Sequence, residues 1–345
     1  MLAVSSCSKK DDVTSEEDFQ TMKTTVLQDF VKNVALNNYS DLNTAAQTLY
    51  ASINALNASA TDANLDKARA DWKVMRATWE QAEGFLFGPV EDNNYDPNMD
   101  TWPTDFNQMD SLLGSSSTLM PADIAKLPLS LRGYHPIEYI LFGVDGKRSA
   151  ATITARQKTY MVSLVTDLKT TCQSLYTEWS AAPVNYGLEV SSAGNGSKIY
   201  AKKIEVYTAL VDGMIGICEE VGEGKMKEPF DAKDSTIVES PYSGTSMIDF
   251  KNNIIGLQNV YLGRYGSHSG RSIRDLVAAK NKALDNALQA QIAAAISAFD
   301  NVTVPFEQAI FTQSVQVKNV MDALATLKTT LDDELKPFVV KYITE

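Results

Sequence analysis

Apolar residues recur at three- and four-residue spacing through seven long stretches of this chain, near 16–36, 39–57, 62–87, 151–180, 195–222, 271–300 and 313–342. That spacing follows the turn of an α-helix, and the residues between the apolar ones, chiefly Ala, Leu, Gln, Lys and Glu, are strong helix formers. Long runs of alternating Val, Ile and Thr, the pattern of half-buried strands, are absent. The expected fold class is therefore all-α. With 345 residues, 44% of them apolar, the chain can build two ordinary helical-bundle domains.

Punctuation between the helices refines this. Gly88-Pro89 is expected to end the third helix and Ala181-Ala182-Pro183 the fourth. The following stretch, 184–197, is rich in Gly, Ser and Asn and is the candidate boundary between an N-terminal domain, 16–183, and a C-terminal one, 184–345. Two more non-periodic regions, 91–132 and 223–245, are too long for simple turns, and such loops are usually functional. Each leads into a short apolar segment closed by glycine, Glu138-Tyr139-Ile140-Leu141-Phe142-Gly143 and Gln258-Asn259-Val260-Tyr261-Leu262-Gly263. The recurrence suggests a diverged internal duplication of a helix with a left-handed glycine cap.

Charge narrows the partners. Lys and Arg number 31 against 43 Asp and Glu, a formal charge of -12, and the basic residues are scattered. Nucleic acid, which needs a basic face, is excluded as an expected partner. At the N-terminus, Val4-Ser5-Ser6-Cys7 has the order of a bacterial lipobox, and the polar 8–15 segment reads as a tether. Residues 1–15 are thus expected to anchor the protein through lipid on Cys7 to the outer membrane, on its periplasmic or surface face. No later stretch approaches the ~18 apolar residues of a membrane span. Cys172 and Cys218 fall within helical patterns without a CxxC partner and are expected as buried free thiols, with a mutual disulfide as the alternative.

The chemistry concentrates around a scarce residue. Only two histidines occur, and His135 stands in Gly133-Tyr134-His135-Pro136-Ile137-Glu138. Pro136 fits a first helical turn and favours extended geometry at the residue before it, which predicts His135 as N-cap and Glu138 at the third helical position. Glu138 can then be read as a capping carboxylate held by free amides and the helix dipole. Histidine, however, is a poor N-cap. A His and a Glu three residues apart also share one helix face, which suits a shared metal ion. The second histidine, His268, lies between Gly266-Ser267 and Ser269-Gly270 and is expected in a solvated loop.

This segment resembles the GxHxxE signature of the imelysin-like family, bacterial envelope proteins described as insulin-cleaving metallopeptidases and linked to iron uptake. Two further blocks carry the resemblance: the run from Trp72 through Arg76, Trp79, Glu80 and Glu83 to Gly88-Pro89, and Glu239-Ser240-Pro241-Tyr242-Ser243-Gly244-Thr245-Ser246-Met247-Ile248-Asp249. The resemblance implies two helical domains from an ancient duplication with a site in the cleft between them. His135 and Glu138 would hold a metal, with iron or an iron chelate as the cargo, and Arg76, Glu80, Tyr242, Ser243, Ser246 and Asp249 would approach as ligand-binding residues. Each has a plainer reading. Trp72, Trp79 and Phe85 suit a core, Arg76 and Glu80 form an i,i+4 surface pair, and Ser243 or Ser246 can cap a helix near Thr245.

Peptidase chemistry needs a metal with about three protein ligands, an open position and a base. HExxH, GxSxG and a Cys-His pair are all missing from the sequence. One His with carboxylates and hydroxyls is a hard-ligand set suited to iron, or to an anionic chelate held by Arg76 and helix N-termini. The leading reading is a lipid-anchored iron-binding protein that works with iron-transport partners, the alternative an imelysin-type metallopeptidase. A scaffolding module with a vestigial site is the third. Removal of His135 is expected to spare the fold. For the anchor, Cys7→Ala in a bacterial host should move the protein from the membrane to the soluble fraction; unchanged membrane retention would overturn the lipobox reading.

Overall fold

The computed structural model describes residues 16–345, so Cys7 and the tether lie outside them. Helix α1 (Glu16–Asp29) runs through a π-helical segment, Phe30–Ala35, into α2 (Leu36–Ala58). The break expected between 36 and 39 is thus replaced by a continuous helical run. Along α2, Tyr39, Leu42, Ala46, Leu49, Ile53 and Leu56 are all fully buried, and this stripe packs on α3 (Asp62–Glu80) and on the long helix near 155–180. Thr61 caps α3 by accepting from the Asn64 amide.

Helix α3 stops at Glu80, short of the expected 87, and the chain turns through a 3-10 segment at Glu83–Phe85. The irregular 91–132 region carries only short helices, among them Tyr95–Asp100 and Phe106–Gly114, before α4 (Tyr134–Phe142). Next comes α5 (Ala155–Ser180), the helix that covers α2. The 184–197 stretch holds one short helix, Tyr186–Ser191. Helix α6 (Lys203–Glu219) continues into a π-helical segment, Glu220–Met226, and α7 (Ser246–Leu262) follows the second irregular region. A break at Asn281 splits the expected 271–300 helix into Ile273–Lys280 and α8 (Lys282–Phe299), and α9 (Ser314–Thr330) packs on α8.

The all-α expectation holds. Among the described residues the strand pairing is confined to Arg264–Tyr265 against His268–Ser269, where His268 is exposed as expected. Cys172 and Cys218 are buried free thiols. The two glycine-closed helices end differently: Gly263 is left-handed (φ 59°, ψ 41°), whereas Gly143 has φ 74° and ψ 172°, an extended conformation open to glycine but not the expected αL cap.

The turn after α3 is wedged between α6 and α7, with glycines where backbone meets backbone. A Cβ on Gly256 of α7 would lie 2.5 Å from the Gln81 carbonyl oxygen, and one on Gly213 of α6 would lie 2.6 Å from that of Gly84. This close approach brings Glu80 and Glu83 against residues far along the chain. Neither neighbour can yield easily, because both are backbone. Gly256→Ala should therefore destabilise the protein by about 1–3 kcal/mol, read as a lowered thermal midpoint. Gly216→Ala, where a Cβ meets nothing within 4 Å, should be neutral or mildly stabilising. Equal midpoints for the two variants would show that the close approach does not constrain the fold.

Candidate functional site

The site assembles around α3. Arg76 and Glu80, one turn apart, are both fully buried rather than decorating a surface. Arg76 ion-pairs with Glu80 and with Asp100, and its Nη2 donates to Glu239 Oε1 at 3.0 Å. Trp79 sits in the core, as its plainer reading required, yet its Nε1 also donates to Asp100 Oδ2 at 2.8 Å. The core helix face thus orients a carboxylate of the site.

Helix α4 brings His135. Gly133, not His135, is the N-cap, and its φ of 75° with the Met99 backbone 1.9 Å from any added Cβ reserves the position for glycine. His135 accordingly lies inside the first turn, where Pro136 sacrifices no intrahelical bond because the first amides have no acceptor. The imidazole is 2% exposed. Its Nε2 lies 3.0 Å from Asp100 Oδ1 and its Nδ1 3.3 Å from Glu138 Oε2. The other Glu138 oxygen accepts from the Tyr242 amide (3.1 Å), the Ser243 amide (2.8 Å) and the Ser243 hydroxyl (2.7 Å).

The remaining expected residues converge on the same centre. Ser246 Oγ accepts from the Ser240 amide at 3.0 Å, fixing the residue after Glu239. Thr245 Oγ1 bridges Ser243 Oγ and Asp249 Oδ2, at 2.9 Å each. Burial raises the Asp249 carboxyl to about 6 despite the nearby Arg76. Tyr242 contributes its amide to the centre and its ring to the outer wall.

Five residues here were not singled out in the sequence: Glu83, Asp100, Lys225, Glu239 and Asn253. Lys225, on the π-helical segment after α6, is buried and reaches Glu239 (2.9 Å), Glu83 (3.1 Å) and Glu220 (3.2 Å). Asn253 of α7 donates to Glu80 Oε2 at 2.6 Å and Glu83 Oε2 at 2.7 Å. Glu83 and Glu239 did lie inside the quoted blocks, so a search for buried acids there would have found them. Asp100 and Lys225 carry no local signal.

Among the described residues, two groups of carboxylate and imidazole atoms approach within 4.8 Å, Asp100–His135–Glu239 and Glu80–Glu83–Asp100. The second already holds cations, Arg76 on Glu80 and Asp100 and Lys225 on Glu83. The first has an open acceptor: Glu239 Oε2 is buried with no hydrogen-bond partner. Glu138 stands behind His135, on the far ring nitrogen from Asp100, so it orients the imidazole instead of adding a fourth atom to that group.

Charge is unbalanced. Glu80, Glu83, Asp100, Glu138, Glu239 and Asp249 are buried around Arg76 and Lys225 as the only permanent cations in this cluster. Burial pushes Glu80 and Glu83 well above the usual carboxylate range. Burial acts on Asp100 the same way, but Arg76 and His135 more than reverse it and hold this carboxyl well below that range. For His135, burial favours the neutral ring, yet the hydrogen bonds to Asp100 and Glu138 raise it to about 9. The donor set, one imidazole and several buried carboxylates with an unsatisfied oxygen, fits a hard or borderline cation.

The fold is thus helical and buries an imidazole among more carboxylates than permanent cations. Residues 35–333 match the family model for imelysin, and the chain belongs to the imelysin family. Iron-regulated protein A of Synechococcus elongatus is 29% identical over 318 residues, covering 91% of this chain and 86% of that protein. A crystal structure from Parabacteroides distasonis, assigned as an iron-regulated protein A precursor, matches with TM-score 0.83 at 25% identity over 97% of both chains. An imelysin-like protein from Psychrobacter arcticum shares the fold, with TM-score 0.76 at 14% identity over 95% of this chain and 97% of its own.

The raised His135 pKa has a stability consequence. A histidine held above its ordinary 6.5 stabilises the fold in full below 6.5 and loses that contribution as pH rises through about 9. In metal-free protein, the stability difference between wild type and His135→Gln should shrink across that window in thermal melts. A difference that does not vary with pH would show that the ring is not protonated between its two carboxylates.

Proposed function

We infer that this protein is a cell-envelope lipoprotein that binds a metal ion, iron, at the buried centre and serves iron uptake. The observation that carries the reading is Glu239 Oε2, buried without a partner beside His135 and Asp100 in a cluster with more carboxylates than cations. His135, Asp100 and Glu239 would hold the ion, with Glu138 fixing the imidazole through Nδ1. A bound cation would supply the positive charge that the buried carboxylates lack. The names of the relatives from Synechococcus elongatus and Parabacteroides distasonis, iron-regulated protein A, support iron as the metal.

The rest of the reading extends from the sequence. Lipid on Cys7 would tether the body to the outer membrane, and iron-transport proteins would be its partners. The 16–183 and 184–345 halves would descend from one duplicated unit, with the centre where they meet. A metallopeptidase of the imelysin type is the alternative. It needs access for a peptide, whereas His135 is 2% exposed and Glu138 and Glu239 are no more so, which favours binding over turnover.

Burial also changes how the reading is tested. Removing the His135 ring would strip Glu138 Oε2 of its imidazole contact and Asp100 of one of its partners in a buried cluster, so His135→Ala is expected to cost stability, contrary to the expectation that the fold is spared. Milder variants isolate binding. Protein reconstituted with ferrous ion under anaerobic conditions should retain iron by mass spectrometry of the metal content. Glu239→Gln should lose that retention, and Glu138→Gln should weaken binding by about 10–100-fold, both with wild-type circular dichroism. Undiminished iron in folded Glu239→Gln would overturn the assignment of this centre.

A further inference from the structure

The space beside the centre is small. The cavity lined by His135, Glu138 and Glu239 has a volume of about 10 Å³, roughly what one water molecule needs. Its outer wall comes from Trp102 and Pro103 with Phe106 at the start of the next short helix, and from Pro241 and Tyr242 in the loop before α7. Phe106, Tyr139 and Tyr242 close on one another as a triangle of rings, with centroids 5.0, 5.6 and 5.3 Å apart. All three rings are half-buried, while the imidazole and carboxylates behind them are buried.

The wall is tied to the centre. Glu138, which orients His135, also holds the Tyr242 and Ser243 amides. Widening the cavity at Tyr242 therefore means disturbing the same carboxylate that sets the imidazole. Pockets for small organic ligands run to about 300–1,000 Å³, more than an order of magnitude beyond this one.

Charge argues the same way. An anionic chelate needs a free cation to greet it, and Arg76 was the sequence candidate. Arg76 is fully buried and already engaged by Glu80, Asp100 and Glu239. Lys225 is likewise engaged by Glu83, Glu220 and Glu239. An incoming chelate would meet surplus carboxylate charge in a low-dielectric interior, where like charges repel most strongly.

We propose that the centre takes a single dehydrated cation and excludes intact anionic chelates, which must surrender the ion outside the aromatic triangle. This rests on the cation-binding reading above and decides between the ion and the chelate that the sequence left open, in favour of the ion alone. The experiment is equilibrium dialysis of the full chain in two arms, one with ferrous ion alone under anaerobic conditions, the other with radioiron-labelled ferric citrate carrying carbon-labelled citrate. The expected result is iron retained in the first arm at about one per chain, and no citrate label retained in the second, whether or not iron is. Iron and citrate retained together in fixed ratio would overturn the proposal while leaving metal binding intact. No iron retained in either arm would overturn both the proposal and the reading it rests on.

Discussion

Arg76 is a guanidinium with no solvent contact, and everything around the centre follows from the need to neutralise it. Removing such a charge from water costs several kcal/mol even after relaxation, so it persists only where carboxylates surround it. Those carboxylates come from three places in the chain: Glu80 on the same helix, Asp100 at the end of a short helix, and Glu239 in the loop before α7. One side chain thereby fixes the relative position of segments separated by as many as 163 residues. His135 joins through Asp100, and Glu138 through His135.

Such a cluster could not close without unusual backbone. Gly256 and Gly213 let α6 and α7 approach the turn after α3 to backbone contact, which brings Glu80 and Glu83 under Asn253. The π-helical segment Glu220–Met226 adds residues without ending the helical run, and so directs Lys225 inward. Departures of this kind are frequent at functional sites because they re-aim a side chain that a regular helix would present elsewhere. The local irregularity and the buried charge are one arrangement seen at two scales.

The excess of carboxylates is the feature on which the proposed cation binding rests. Apolar replacement of a buried ion network is often neutral or stabilising, so a network with more acids than bases is poorly explained by stability alone. Protons can relieve it in part, through the raised Glu80, Glu83 and Asp249 and the protonated His135. A cation would displace those protons, which links binding to pH and to the rigidity of the whole centre.

Read alone, the sequence determined the helices, because the three- and four-residue spacing of apolar side chains is a local pattern and the core simply buries it. It also determined two pairs at the centre, Arg76 with Glu80 and His135 with Glu138, because residues three or four apart on a helix are neighbours whatever the fold. It misplaced helix ends where backbone contacts decide them, as at Glu80 and Gly133. It could not supply Asp100, Lys225 or Glu239 as partners. Their contacts to Arg76, His135 and Glu83 span 24 to 163 residues, and no periodicity in the chain encodes a meeting at that range. Only the packed structure decided it, since which buried acid faces which buried base depends on how close the helices come, and the glycines set that distance.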